Sequence, residues 1–475
     1  MYLPISKKSG FIVCMAITLM LSLNSCATTQ ARTSPSTGPQ ENTAIQTDSN
    51  LSSKTPYPYK ETTSTAIPQG YTLSFIESVG RHGSRNLSAA KYDKTLYELL
   101  QIAQSQQEIT PEGITLYHEI GQLMDEEKGK YGLITEKGKK ELEGIGERTG
   151  INYHALFAQK STVITYATYK DRVKASRDAF LSGLQKEVPH ISYVSNSYEK
   201  GEDPFLRPYD IAPAYQAFKE DGAWQKIYTP YASKGIGAQY NKQVMLQFIT
   251  PSFYDQIEKG TFQLKDDKGR VKLKNPTQAA LNLYNLYIIS PALNGNYDFG
   301  RYFTTEQRAW YESILSLEDY FQKGPSISPL PTNIIAPLVA HMINDADINI
   351  SNQSHIGGIF SFAHAETLIP LQSFLDIEGS NQSSTNPHNI MQSWDASIIT
   401  PMAANIMWVF YSKGDQVLVK MLRNEKEIAF PCATDNYPYY QWDEVRNYYT
   451  NKIQSLGFAV NESLATAQSI LATQY

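Results

Sequence analysis

The chain has 475 residues, of which 41% are hydrophobic, 12% aromatic and 19% charged. That composition excludes a disordered or fibrous protein and leaves enough apolar surface for a large core. The formal net charge is −5, and removal of residues 1–25, which hold Lys7 and Lys8 but no acid, would take it to −7. A general nucleic-acid binder, which needs a basic face for phosphate contacts, is disfavoured. The cysteines are Cys14, Cys26 and Cys432, so no disulfide is expected within the body of the chain.

At the N-terminus, Lys7 and Lys8 precede an apolar run over 11–23 that ends in Leu23-Asn24-Ser25-Cys26, the layout of a signal peptide. The run is short for a membrane span, which takes about 20 residues; an ordinary transmembrane anchor is the alternative. The four residues ending at Cys26 resemble a bacterial lipobox. The resemblance implies cleavage after residue 25, lipidation of Cys26 and, with Ala27 following, export to the outer membrane, with membrane contact through the lipid anchor only. Residues 26–69 are rich in Ser, Thr, Pro, Gln and Asn and read as a flexible tether from the lipidated cysteine.

The stretch 71–79 is rich in β-formers and predicts a strand running straight into Gly80-Arg81-His82-Gly83. A second strand is predicted over 162–168, followed by a helix over 171–186 with an apolar stripe of Val173, Phe180, Leu181 and Leu184. A third, over 357–363, leads into His364-Ala365-Glu366 and a helix over 367–374. Segments 405–411 and 416–422 flank Ser412-Lys413-Gly414-Asp415 and predict a hairpin extending the sheet at an edge. The long intervening segments read as mostly helical and exceed any loop. The predicted fold is α/β: a mixed central sheet flanked by helices, built from about 70–90, 161–198 and 332–475. A mostly helical cap domain is inserted from about 91–160 and 199–331.

Three strand-to-helix junctions carry the reactive residues, and ligands of open α/β sheets sit beyond the carboxyl ends of strands. Arg81-His82-Gly83-Ser84-Arg85 places two guanidinium groups and an imidazole where a strand ends. Arginine forks bind phosphate bidentately and stay charged. Gly83 allows close approach of the backbone, and a helix starting here would add attraction for an anion. A neutral His82 nitrogen can attack phosphorus while the arginines absorb charge on the equatorial oxygens, giving a phosphohistidine. A structural turn with two solvated arginines is the bland alternative.

These five residues resemble the signature of the histidine phosphatase superfamily, and Arg85 points to its acid phosphatase and phytase branch. Ser84 departs from the acid or amide usual in phosphoglycerate mutases, and Asn86 from the proline of many relatives. Leu133-Ile134-Thr135-Glu136-Lys137-Gly138, with Leu142, Gly146 and Arg148, is similar to the family's "LTxxG" helix. The stretch 168–184 is similar to its "TxxxRxxxSxxAFxxGL" segment, which makes Arg172 the third phosphate-binding arginine. Leu422-Arg423-Asn424-Glu425 and Phe430-Pro431 resemble the closing strands.

His364-Ala365-Glu366 resembles the motif of multiple inositol polyphosphate phosphatases, where phytases of the branch carry His-Asp. By that resemblance His364 helps hold the phosphate, while Glu366 protonates the leaving alkoxide and then activates water. The segment 203–210 resembles the same group and implies that Arg207 contacts a non-reacting phosphate, although a turn residue paired with Asp210 fits equally. Lys170, Lys174 and Arg177 read as solvated helix residues. The remaining histidines show no metal-ligand spacing, so neither metal nor cofactor is expected.

The expected function is removal of phosphates from inositol hexakisphosphate (phytate) and lower inositol polyphosphates by a monomeric enzyme whose partner is the small phosphorylated substrate. A broad acid phosphatase acting on sugar or small organic phosphates, and a non-catalytic surface lipoprotein that binds phosphorylated ligands, are the alternatives.

Overall fold

A computed structural model of the chain describes residues 50–351 and 353–475. The signal sequence, Cys26 and the tether as far as residue 49 lie outside the described residues. The strands are β1 (Thr72–Arg81), β2 (Thr162–Ala167), β3 (Ser192–Asn196), β4 (Leu264–Lys265), β5 (Val271–Leu273), β6 (Ile356–Ala363), β7 (Asn405–Lys413), β8 (Gln416–Arg423), β9 (Lys426–Ile428) and β10 (Tyr440–Gln441). The main sheet is mixed, with strand order β10-β8-β7-β1-β6-β2-β3 and β9 attached to β8, while β4 and β5 form a separate hairpin. Strands β1, β6, β2 and β3 run parallel, and β7 joins the other side of β1 antiparallel.

From Ser74 to Arg81 every residue of β1 is buried, as expected of a central strand covered on both faces. The period-2 alternation sends neighbours to opposite sides. Phe75 and Val79 pack with Ile359, Trp408 and Phe410 under helices Ala336–Asn349, Ala365–Phe374 and Trp442–Ser455. Ile76 packs with Val163, Phe360 and Val409 under helices Glu136–Asn152, His154–Gln159 and Asp171–Glu187. Phe75, Ile76 and Val79 are fully buried, each worth roughly 1.5–3 kcal/mol.

A second core lies in the insertions, where Leu99, Ile120, Phe248, Leu283, Tyr284 and Ile314 are buried together. Helix Thr305–Lys323 opens on a capping box, Thr304 with Gln307, and at its other end carries Ser316, Asp319 and Lys323 toward the sheet domain. Among the described residues no helix is long and apolar enough to cross a membrane.

Four expectations are corrected. Helices Glu136–Asn152 and His154–Gln159, assigned by position to the cap, pack on the sheet through Leu142, Ile145, Leu156 and Phe157. The predicted C-terminal hairpin is present but not at an edge: β7 lies between β1 and β8, and β10 takes the rim. Its place is set by pairing with β1, such as Ile76 with Val409, a non-local contact without a local pattern. No helix begins at Gly83; the next one starts at Asp93, so no helix dipole acts from that loop. Finally, residues 50–57 are not a free tether. Leu51, Ser52 and Ser53 are buried, and Tyr57 donates its backbone N–H to Glu141 and its hydroxyl to Glu425.

Candidate active site

Strands β1, β6 and β2 end side by side, with Arg81 in register with Ala363 and Ala167 with Phe362. The residues that follow them, His82, His364 and Thr168, are therefore neighbours, as placement at the carboxyl ends of parallel strands requires. The His82 and His364 rings meet edge to face with centroids 5.4 Å apart.

His82 is buried, and its Nδ1 lies 2.9 Å from the Gly83 carbonyl. A carbonyl only accepts, so Nδ1 carries the proton and Nε2 keeps its lone pair. Burial first, then Arg172, Arg81, His364 and Arg85, hold the imidazole well below the usual histidine range. It is a neutral base with a free nitrogen, the form a nucleophile needs.

The loop bearing it is clamped from two sides. Helix Glu136–Asn152 is N-capped by Thr135, whose N–H and hydroxyl donate to the Ser84 carbonyl at 3.0 and 3.1 Å. Glu141 accepts from the Ser84 N–H and hydroxyl, each at 2.7 Å. A Cβ on Gly83 would meet the Gly138 carbonyl at 2.4 Å, so glycine is needed at this crossing. From the other side Ser176 accepts the Gly83 N–H at 3.2 Å and donates to the Arg172 carbonyl.

Arg81 donates to the carbonyls of Ser53 and Thr400, Arg85 to that of Asn86, and Arg172 to Nδ1 of His364 at 3.2 Å. His364 then donates from Nε2 to the Thr168 hydroxyl at 3.0 Å. On all three arginines the buried Nε–H has no hydrogen-bond partner. Unpaired buried donors are costly, and three guanidinium groups converging with an open donor each form a cradle for a tetrahedral oxyanion. Burial pulls Arg81 and Arg85 down to about 10; repulsion from Arg172 and Arg81 adds to it at Arg85, whereas at Arg81 the Glu366 and Asp319 carboxylates oppose the fall, and an entering anion relieves the repulsion among the guanidinium groups.

Glu366 stands in the first turn of helix Ala365–Phe374. Burial raises its carboxyl, but Lys323, His364 and Lys219 outweigh burial and hold it well below the usual carboxylate range. It also lies within electrostatic reach of Arg81 and Arg172. Arg81, His82, Arg85, Arg172, His364 and Glu366 are thus brought together.

Arg207 is near this group but engaged: its Nε and Nη2 reach Asp210 at 2.7 and 3.1 Å, and its guanidinium lies over the rings of Tyr169 and Tyr209. The pairing with Asp210 is the arrangement that the turn reading anticipated. Lys54, Lys219, Asp319 and Lys323 were not singled out from sequence. Thr168 and Ser176 were legible only as letters of the 168–184 pattern.

The family model for the histidine phosphatase superfamily (branch 2) matches residues 72–424. The chain belongs to that superfamily. Among its relatives as a histidine phosphatase, multiple inositol polyphosphate phosphatase 1 of Homo sapiens is 20% identical over 365 residues, 71% of this chain and 70% of the human one. The crystal structure of the Bifidobacterium longum multiple inositol polyphosphate phosphatase, in complex with inositol hexasulfate, superposes with a TM-score of 0.78 at 25% identity. It covers 85% of this chain and 98% of the bifidobacterial one. The phytase from D. castellii shares the fold, with a TM-score of 0.61 at 16% identity over 90% of each chain.

Proposed function

We propose that this histidine phosphatase removes phosphates from inositol hexakisphosphate and lower inositol polyphosphates through a phosphohistidine on His82. The observation that carries the reading is the cluster of three buried guanidinium Nε–H donors without partners, on Arg81, Arg85 and Arg172, around an imidazole whose Nδ1–H is given to the Gly83 carbonyl, which leaves Nε2 as the lone-pair nitrogen. The likeness to inositol polyphosphate phosphatases and the His364-Ala365-Glu366 motif support the substrate class.

In the first half-reaction the Nε2 lone pair forms an N–P bond while the bond from phosphorus to the inositol oxygen breaks, and Glu366 gives its proton to that oxygen. The arginines hold the equatorial oxygens, and His364, whose two nitrogens are engaged by Thr168 and Arg172, helps hold the phosphate by fixing Arg172. In the second, water attacks phosphorus, its proton passes to Glu366, and the N–P electron pair returns to Nε2. Glu366 is ionised in the empty site, so it must acquire its proton as a polyanionic substrate offsets Lys323 and Lys219. Arg207 is the candidate contact to a further phosphate, and engaging it requires sharing or displacing Asp210.

Comparing phosphate release from phytate and from a sugar phosphate at equal concentration tests the substrate class. Strong preference for phytate is expected, equal rates favour a broad acid phosphatase, and no release from either favours a binding protein. The lipobox-like Leu23-Asn24-Ser25-Cys26 supports attachment of the enzyme to the outer membrane through Cys26; Cys26→Ser should shift it from the membrane to the soluble fraction.

A further inference from the structure

Residues 50–57 form a strap that ties the cap to the signature loop. Leu51 is buried in the cap core, and Ser52 Oγ lies 3.3 Å from Ser316 Oγ on helix Thr305–Lys323. The Ser53 carbonyl accepts from Arg81, and the Thr55 carbonyl accepts from the Met402 N–H at 2.8 Å. The strap is therefore part of the site wall, and a phosphate-binding arginine leans on it.

Within the strap stands Lys54, whose ammonium donates to Ser53 Oγ at 3.1 Å. Asp319 and Lys323 face it from the cap helix, and Arg81 and Arg85 from the signature loop. Asp319 is already bonded to Lys323 and so is shared between two ammonium groups, and Glu318 lies within electrostatic reach of both. Burial takes Lys54 down to about 7, with Asp319 opposing the fall and Arg85, Arg81 and Lys323 adding to it. Three cations, Arg81, Arg85 and Lys323, against two carboxylates, Asp319 and Glu318, surround this lysine, so it gains when an anion arrives. Lys323 faces both Glu366 and Asp319. Lys323 thus stands between Lys54 and Glu366, the proposed proton donor.

We propose that Lys54, together with Lys323, binds a second, non-reacting phosphate on the leaving-group side of the substrate, so that the N-terminal strap sets the preference for polyphosphorylated over singly phosphorylated esters. This rests on the inositol polyphosphate reading.

The test is steady-state kinetics of the full-length chain carrying Lys54→Gln, Lys54→Met or Lys54→Arg, with phytate and p-nitrophenyl phosphate as substrates. For Lys54→Gln and Lys54→Met, kcat/KM should fall on the order of tenfold more with phytate than with p-nitrophenyl phosphate, mainly through KM, the scale of one lost charge-assisted hydrogen bond. Lys54→Arg should restore most of the difference. Equal losses on both substrates, or an unaltered KM for phytate, overturn the subsite while leaving the substrate class standing. A wild-type enzyme that turns over p-nitrophenyl phosphate but not phytate overturns both.

Discussion

Nε2 of His364 lies 3.0 Å from the Thr168 hydroxyl while its Nδ1 accepts from Arg172 at 3.2 Å, so one ring joins the ends of two strands to Arg172. The ring is buried, and both nitrogens are committed. Thr168→Val leaves Nε2–H without an acceptor, at a cost of about 1–3 kcal/mol in a buried site. We expect kcat to fall roughly ten- to a hundredfold with the fold retained, as read by turnover alongside thermal melting. Unchanged turnover would mean that the orientation of His364 is immaterial.

The nucleophile should stay competent in mild acid. Because burial and the surrounding cations hold His82 below the usual range, it remains neutral as pH falls past the ordinary histidine value of about 6.5. The rate of phosphoenzyme formation from p-nitrophenyl phosphate, whose leaving group needs no proton, should be flat between about pH 6.5 and 5.5. A decline approaching tenfold per unit in that interval would show an imidazole titrating normally.

Glu366→Gln removes the proton donor while keeping most of the side-chain volume. Loss should depend on the leaving group: about 10²–10⁴-fold for an inositol phosphate, whose alkoxide must be protonated, and far less for phosphoryl transfer from p-nitrophenyl phosphate. Equal losses on both would assign Glu366 to binding or structure instead.

Behind β1, Asp345 is pushed up to about 7 by burial, and Glu77 is raised by burial and by Asp345. His341, 3.4 Å from Asp345, is lowered to about 4 by burial. A carboxyl raised in the folded state contributes stability that is complete below its unfolded value and is lost as pH climbs through the folded one. Relative to Asp345→Asn, the wild type should therefore lose stability between about pH 4 and 7, by at most about 1.4 kcal/mol per unit. His341 works in the opposite direction but is common to both proteins. Denaturant unfolding of the pair at several pH values measures the difference, and parallel curves would rule out the shift.

The strands bearing the chemistry were legible because each is a run rich in β-formers that stops at a polar motif: β1 before His82, β2 before Thr168 and β6 before His364. Their convergence followed from placing three junctions at the end of one sheet. Helix Glu136–Asn152 was misplaced because sequence position put it with the insertion. Its fit against the signature loop, Gly138 on Ser84, is a close backbone approach that hydropathy does not encode. Residues 50–57 were illegible for another reason: Ser52, Ser53 and Lys54 are polar, and hydrogen bonds rather than an apolar face hold them. Asp319 and Lys323, spaced i,i+4, look like a solvated helix pair until the fold turns them toward the site.

Everything rests on His82 becoming phosphorylated. Mixing the enzyme with labelled phytate, quenching within milliseconds and measuring acid-labile, base-stable label on the protein tests this directly. Label is expected on wild type, none on His82→Ala, and on digestion a labelled peptide that contains residue 82. Steady phosphate release without any trapped label, or label that persists in His82→Ala, would contradict it.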